Sequence, residues 1–528
     1  MKPKTTLIHG GAVWTGDPMV PRAEAFLVRG GRFKAVGSKE YVESKIEPGE
    51  SVERIDAKGA LAIPGITDAH LHLTAYCKAG LYRDLSAAND LDELLGGIKR
   101  FADGSGDAHW LRVTNYNESN WEKPLLPTMA QLDAASAGKP LLASRYCGHI
   151  HVANRRAMMD AGIWDSPDPH IDRGPDGTPT GILHEGAAGP ILAHITAEYE
   201  TPEKLRALAF ESCKTLASMG MTAVHACDAP SYGLPEQMSI FQDLYDRGEL
   251  PLRVISYFDR LPRYDVRSGF GNPFVSFAGF KIFADGGLGG RGAALREDFS
   301  DAPHVRGTLN HTDEALYDMV REATERDIQI QIHMIGDAAI DQAVRICKKV
   351  VHDLGKKPRY PYRFNHLIVS PPDQLEELKK LGVVVDIQPI QAHTDRNMAP
   401  VRLGEARMQH IYSFRRLYDS GLLITGSSDA PMERANPWIG IWTAVCRTEY
   451  DGSPLKWSKA DEVLTLDEAL TIFTRNPYRA VCWDGYGTIA EGSHADFAIL
   501  ENDPFKEDSQ KIRDTKVRAT YLEGVQTY

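Results

Sequence analysis

The chain has no apolar run of about 18 residues, the length a membrane-spanning helix requires, so no segment is expected to cross a membrane. Its opening stretch, Met1-Lys-Pro-Lys-Thr-Thr-Leu-Ile-His-Gly-Gly11, lacks the long apolar centre of a signal peptide. Paired cysteine motifs are missing too. The 7 cysteines (Cys77, Cys147, Cys213, Cys227, Cys347, Cys446, Cys482) are scattered, odd in number, and form no C-x-x-C. That pattern excludes a cysteine metal site and a disulfide framework, and predicts reduced thiols in a cytoplasmic protein. Basic charge is not in excess: 60 Lys and Arg against 72 Asp and Glu leave −12. Nucleic acid and anionic membrane are therefore not expected partners, since either needs a basic face. No G-x-G-x-x-G or P-loop follows an early strand, and no G-x-S-x-G frames Ser427 or Ser428. A dinucleotide fold, a phosphate cradle and a serine nucleophile elbow lose their usual signals. Internal repeats and low-complexity segments are absent.

What is present is a large apolar inventory, 42% of 528 residues, enough for more than one compact domain. Near-continuous apolar runs recur at Leu61–Thr67, Met221–Ala226, Leu252–Phe258, Phe277–Phe283, Ile328–Ile332, Tyr362–Asn365, Val383–Ile387 and Leu422–Gly426. Helix-like stretches lie between several of them, as in Pro202–Met219, Thr312–Arg326, Ala338–Gly355 and Pro372–Leu381. Strands buried on both faces and alternating with helices predict an α/β fold, a closed (β/α)8 TIM barrel over residues 61–479. A doubly wound open sheet is the runner-up.

Both chain ends read differently. Phe26–Gly37 is two β-rich runs joined by Gly30-Gly31, a hairpin signal, and Gly487–Leu500 and Val517–Tyr528 alternate apolar and polar residues. Residues 1–60 and 480–528 are expected to form one composite β-sandwich domain. The distance between the first apolar run and the second exceeds what one βα unit needs. Residues from about 75 to 200 are read as an insertion subdomain after the first barrel strand, over the barrel mouth, where long loops shape specificity.

Polar residues end the apolar runs. His70 and His72 close the first; residues i and i+2 of a strand point to one side, so both imidazoles can reach one ion. Lys281 lies in the fourth run, His333 and His366 close the fifth and sixth, and Asp429 follows the eighth. Barrel active sites are built at these strand ends. His225, at the end of the second run, is read as lining the mouth, and Asp285 as a supporting or turn residue.

The ordered series resembles the amidohydrolase superfamily. Lys281-Ile-Phe-Ala-Asp-Gly-Gly-Leu-Gly-Gly-Arg291, Gln331-Ile-His333-Met-Ile-Gly-Asp, Ser428-Asp429-Ala-Pro431, Cys147-Gly-His149-Ile-His-Val-Ala-Asn154 and Pro64-Gly-Ile-Thr-Asp-Ala-His-Leu-His72 are similar to segments of its amidohydrolase-3 branch, which includes N-substituted formamide deformylases and YtcJ-like proteins. Gly287 departs from the branch, where Ser is frequent.

The resemblance implies a binuclear centre. His70 and His72 would hold one divalent ion with Asp429 as a further ligand, and His333 and His366 a second. Nitrogen and carboxylate ligands suit two zinc ions, with iron, manganese and nickel as alternatives. Lys281, N-carboxylated by carbon dioxide, would bridge them; the other reading is a plain lysine beside a single metal. The implied reaction is hydrolysis of a C–N bond (amide, N-formyl or N-acyl) of a small molecule, with Asp429 as catalytic proton shuttle and His149 and Arg291 holding the substrate. Alternatives are heterocycle deamination, carbamate or ester cleavage on the same site, and a scaffold without catalysis. A homodimer is a family-level expectation.

Overall fold

The computed structural model describes residues 5–106, 108–145, 150–228, 237–262, 266–455, 457 and 461–528. The chain forms two compact units, residues 77–209 and the segments on either side of them.

In the larger unit eight parallel strands follow one another in chain order: Ile66–Leu71, Met221–Asp228, Arg253–Phe258, Val275–Phe283, Gln329–Met334, Arg363–His366, Val384–Ile387 and Leu423–Gly426. Residues beyond the eighth strand reach the first: Asp429 N donates to His70 O at 2.8 Å, and His72 N to Ala430 O at 2.8 Å. This is the TIM barrel expected from the alternation of apolar runs and helices. The first, second and sixth strands are buried along their whole length, as a parallel sheet covered on both faces requires.

The covering helices start and stop where local chemistry dictates. Thr312 caps Asp313–Glu325 by accepting from Ala315 N at 3.2 Å, and Asp313 and Glu314 fill the first turn. Gly355 and Gly382, both with positive φ, end Asp337–Leu354 and Leu375–Leu381.

One apolar run is divided. Leu61–Thr67 was expected to be the first barrel strand, but Leu61–Pro64 pairs with Ala12–Trp14 and Phe497–Leu500 in a different sheet, and the barrel strand begins at Ile66. Gly65 is the pivot. A Cβ there would lie 2.0 Å from Thr222 Oγ1, so only glycine lets the backbone pass so close to the second strand.

Both chain ends supply the remaining sheets of this unit. One has four strands (Arg32–Gly37, Ala25–Arg29, Thr5–His9, Val52–Asp56) and the other six (Val525–Gln526, Val517–Leu522, Phe497–Leu500, Leu61–Pro64, Ala12–Trp14, Arg22–Ala23). Gly30 and Gly31 carry positive φ in the two-residue turn between Ala25–Arg29 and Arg32–Gly37, the geometry a tight hairpin demands. A shared core joins the sheets, with Phe26, Phe33, Phe497 and Tyr521 at its centre; Phe497 stacks on Tyr521 at 4.4 Å and meets Phe26 edge-on at 4.9 Å. Arg253 of the third barrel strand is fully buried and grips Asp496, with Nε to Oδ2 at 2.8 Å, tying barrel to terminal sheets.

The smaller unit has its own six-stranded mixed sheet, in the order Ile171–Arg173, Pro179–His184, Ile150–Ala153, Leu141–Arg145, Leu111–Tyr116, Arg83–Asp84. Helix Leu91–Gly104 buries Leu94 and Ile98 against it. Trp110 and Trp121 are core residues of this unit. Asn154 is structural: its side chain accepts from Leu141 N and Ala157 N and donates to Ser136 Oγ and Lys139 O, capping Arg155–Asp160. Among the described residues no helix is long and apolar enough to cross a membrane.

Candidate metal centre

The carboxyl ends of five barrel strands converge on one buried cluster. His70 lies in the first strand and His72 one residue past it; Lys281 is in the fourth, His333 in the fifth, His366 ends the sixth, and Asp429 lies just past the eighth. Asp429 Oδ1 is 3.3 Å from His72 Nε2 and 3.5 Å from His70 Nε2. These three residues offer ligand atoms within 4.8 Å of one another. Lys281 Nζ lies 3.3 Å from His70 Nε2. The His366 ring is 5.2 Å from that of His70 and 4.4 Å from that of His333, centroid to centroid. His333 Nε2 in turn lies 3.5 Å from Asp285 Oδ1.

The backbone is bent to present these groups. His366 and Asp429 both have left-handed φ, 74° and 66°, a strained choice for residues with a Cβ that recurs at functional sites. Asp68 secures the corner between first and eighth strands: His70 N donates to its Oδ1 at 3.1 Å, and Ser428 N to both oxygens at 3.1 Å.

Burial keeps three of the imidazoles neutral. Burial, then the Lys281 charge, drives His70 well below the ordinary histidine range and His333 down to about 3. Burial, then His333, does the same to His366. Burial lowers Lys281 to about 8, within reach of a neutral amine. Asp285 is pushed up to about 6 by burial while accepting from Ala294, Ile335 and Gly336 amides at 2.8–3.0 Å. With His333 neutral, its 3.5 Å approach to Asp285 is not an ion pair.

These residues fit a divalent cation. Asp429 Oδ1, His333 Nε2 and His366 Nδ1 are buried without a hydrogen-bond partner among the described residues. Such orphans cost about 1–3 kcal/mol each, and neutral imidazole nitrogens beside a carboxylate oxygen are the donor set that zinc and its neighbours take. His70, His72 and Asp429 form one candidate ligand group; the His366 ring lies 5.2 Å from that of His70 and 4.4 Å from that of His333.

The structure does not bring every expected residue here. Arg291 is clamped by Asp301, Nη2 to Oδ2 at 2.8 Å and Nε to Oδ1 at 3.1 Å, and has no contact with the cluster among the described residues. His149 lies outside the described residues. His225 lies inside the barrel wall rather than at its rim: it is fully buried and held by Arg363 Nη1 at 2.9 Å.

Other residues were not singled out from the sequence. Gln391, after the seventh strand, donates from Nε2 to Asp429 Oδ2 at 3.1 Å, which leaves Oδ1 for the histidines. Gln388 lies beside His366 and donates to Ser427 Oγ at 2.9 Å. Asn365 accepts a short hydrogen bond from Lys281 Nζ. Beneath it, Asp386 takes both Arg363 Nη2 (2.7 Å) and Nε (3.1 Å), the pair wholly buried. The signal for these was present: Gln329, Gln331, Arg363, Asn365 and Asp386 are polar residues inside otherwise apolar strands, and all five are buried.

A model of the amidohydrolase family matches residues 53–528. YtcJ of Bacillus subtilis (strain 168) is 31% identical over 533 residues, covering 98% of each chain. The N-substituted formamide deformylase of Arthrobacter pascens is 26% identical over 544 residues, covering 99% of this chain and 98% of that protein. The crystal structure of an uncharacterized metal-dependent hydrolase from Pyrococcus horikoshii OT3 superposes with a TM-score of 0.79 at 25% identity, covering 96% of this chain and 99% of that one.

Proposed function

The chain belongs to the amidohydrolase family, and from that premise we propose that this metal-dependent hydrolase cleaves a C–N bond of a small-molecule amide, N-formyl or N-acyl compound. The observation that carries the reading is the convergence of His70, His72 and Asp429 on one point, with Lys281 Nζ 3.3 Å from the first of them. Two divalent ions, zinc by the chemistry of the donors, would acidify water and polarise the scissile carbonyl there.

The chain's own groups do the rest. His70 and His72 would hold one position, and His333 and His366 the other; burial keeps His70, His333 and His366 neutral, so these three lose no proton to do so. Asp429 takes the proton of the attacking water and returns it to the leaving nitrogen, which turns a poor amide anion into a neutral amine. Gln391 fixes the rotamer of that carboxylate through Oδ2. Lys281, lowered to about 8 by burial, would react through its neutral amine with carbon dioxide: the lone pair forms the N–C bond, one N–H proton passes to solvent, and the carbamate would give the site an anionic oxygen donor.

The test is a panel of N-formyl, N-acyl and carbamoyl compounds given to enzyme loaded with zinc and bicarbonate. Release of the free amine with formate or another carboxylate is expected. Turnover confined to esters, or ammonia released from heterocycles with amides untouched, would contradict the C–N assignment.

A further inference from the structure

The barrel interior below the cluster is polar where a barrel of this kind usually packs branched apolar side chains. Arg363 and Asp386 are each 0% exposed and joined by two hydrogen bonds. A buried ion pair of this sort is seldom kept for stability alone, because well-packed apolar residues do as well or better. What it holds is specific. Asp386 Oδ2 accepts from Asn365 Nδ2 at 2.5 Å, and Oδ1 accepts from Thr425. A carboxylate only accepts, so it fixes which end of the Asn365 carboxamide faces it. The amide nitrogen turns toward Asp386 and Oδ1 toward Lys281 Nζ, which donates to it.

We propose that Asn365, oriented by the Asp386–Arg363 pair, is the positioning residue that presents the Lys281 amine for carboxylation and then sets the direction of its carbamate. This rests on the reading of Lys281 given above. A carbamate nitrogen is planar and keeps a single N–H. Donated to Asn365 Oδ1, that one hydrogen fixes the rotation of the group, so the new carboxylate points away from Asn365, on the side where the histidines stand. Asn365 is suited to this because its oxygen is a neutral acceptor; it holds the amine without offering a charged partner to an ammonium.

The test uses the full chain, stripped with a chelator in carbon dioxide-free buffer and titrated with zinc over a range of 13C-bicarbonate. Metal bound per chain, the 13C carbamate resonance and the melting temperature are read together. Wild-type protein is expected to load zinc in step with the carbamate signal. Asn365→Ala is expected to need at least about tenfold more bicarbonate for half loading, and Asn365→Ser gives the same reading should the alanine variant not fold. Gln331→Leu removes a different donor to Asp386, 3.2 Å from its Oδ2, and is expected to lower the melting temperature while leaving the bicarbonate requirement unchanged. A wild-type requirement in the Asn365 variant, or an equal rise in Gln331→Leu, overturns the positioning role. Zinc loading by wild type with no bicarbonate dependence and no carbamate resonance overturns the Lys281 reading itself, and the proposal with it.

Discussion

Asp429 Oδ1 lies 3.3 Å from His72 Nε2, which joins the end of the last barrel strand to the end of the first. Its other oxygen is occupied by Gln391. The carboxylate thus lies between two imidazoles. Asp429→Asn keeps the size and the Gln391 contact but cannot shuttle a proton. Turnover is expected to fall by about 10²–10⁴, measured as kcat on the best substrate of the panel; near-normal kcat would remove Asp429 from that role.

Lys281→Ala deletes the buried amine and the anion proposed to form on it. Metal content and activity are expected to fall together, and a short carboxylic acid such as acetate or propionate is expected to restore part of both by occupying the space. Full metal retention in this variant, read by atomic emission, would contradict the bridging role.

Arg363 and Asp386 are a buried pair with no solvent to replace a missing partner. Arg363→Met leaves the buried Asp386 short of two donors. A loss of about 3–5 kcal/mol is expected from chemical denaturation, the usual cost of stranding one member of such a pair. A loss below about 1 kcal/mol, typical of an exposed ion pair, would show that the pair does not support the barrel.

Much of this molecule is legible in order of residues alone, and the limits have physical causes. The barrel was readable because its strands are largely apolar and separated by helical stretches, and several carry a polar residue at or near the carboxyl end, as Arg363–His366 does. Helix ends were readable at Thr312, Gly355 and Gly382 because capping is local chemistry. The division at Gly65 was not, because the reason is a contact with Thr222 far along the chain. Asn365 and Asp386 were missed because a polar residue in a strand can face solvent or a neighbouring helix equally well; only the closed barrel turns them toward Lys281 and one another. Gln391 lies in a short helix after the seventh strand, and nothing in Pro-Ile-Gln-Ala points it at Asp429.

Glu523 gives a pH-dependent test of how the chain ends are held. His494 Nδ1 at 3.0 Å, then the Arg253 charge at 3.1 Å, pull its carboxyl from an ordinary 4.5 to about 2. A depressed folded-state value means the unfolded chain binds the proton more readily. The contribution is complete above pH 4.5 and is lost as pH falls toward 2. With 31% of its side chain exposed, the effect is partly screened. Glu523→Gln is expected to lower stability at neutral pH and to flatten its fall across that acid window, followed by denaturant midpoints. An unchanged slope would show that these contacts do not favour the ionised form.

Metal analysis of protein purified without chelator tests the whole account most directly. The cluster of four histidines, Asp429 and Lys281 predicts roughly two divalent ions per chain, lost on chelation together with hydrolytic activity and regained with zinc and bicarbonate. Protein that carries no metal, and takes up none under those conditions, would contradict it.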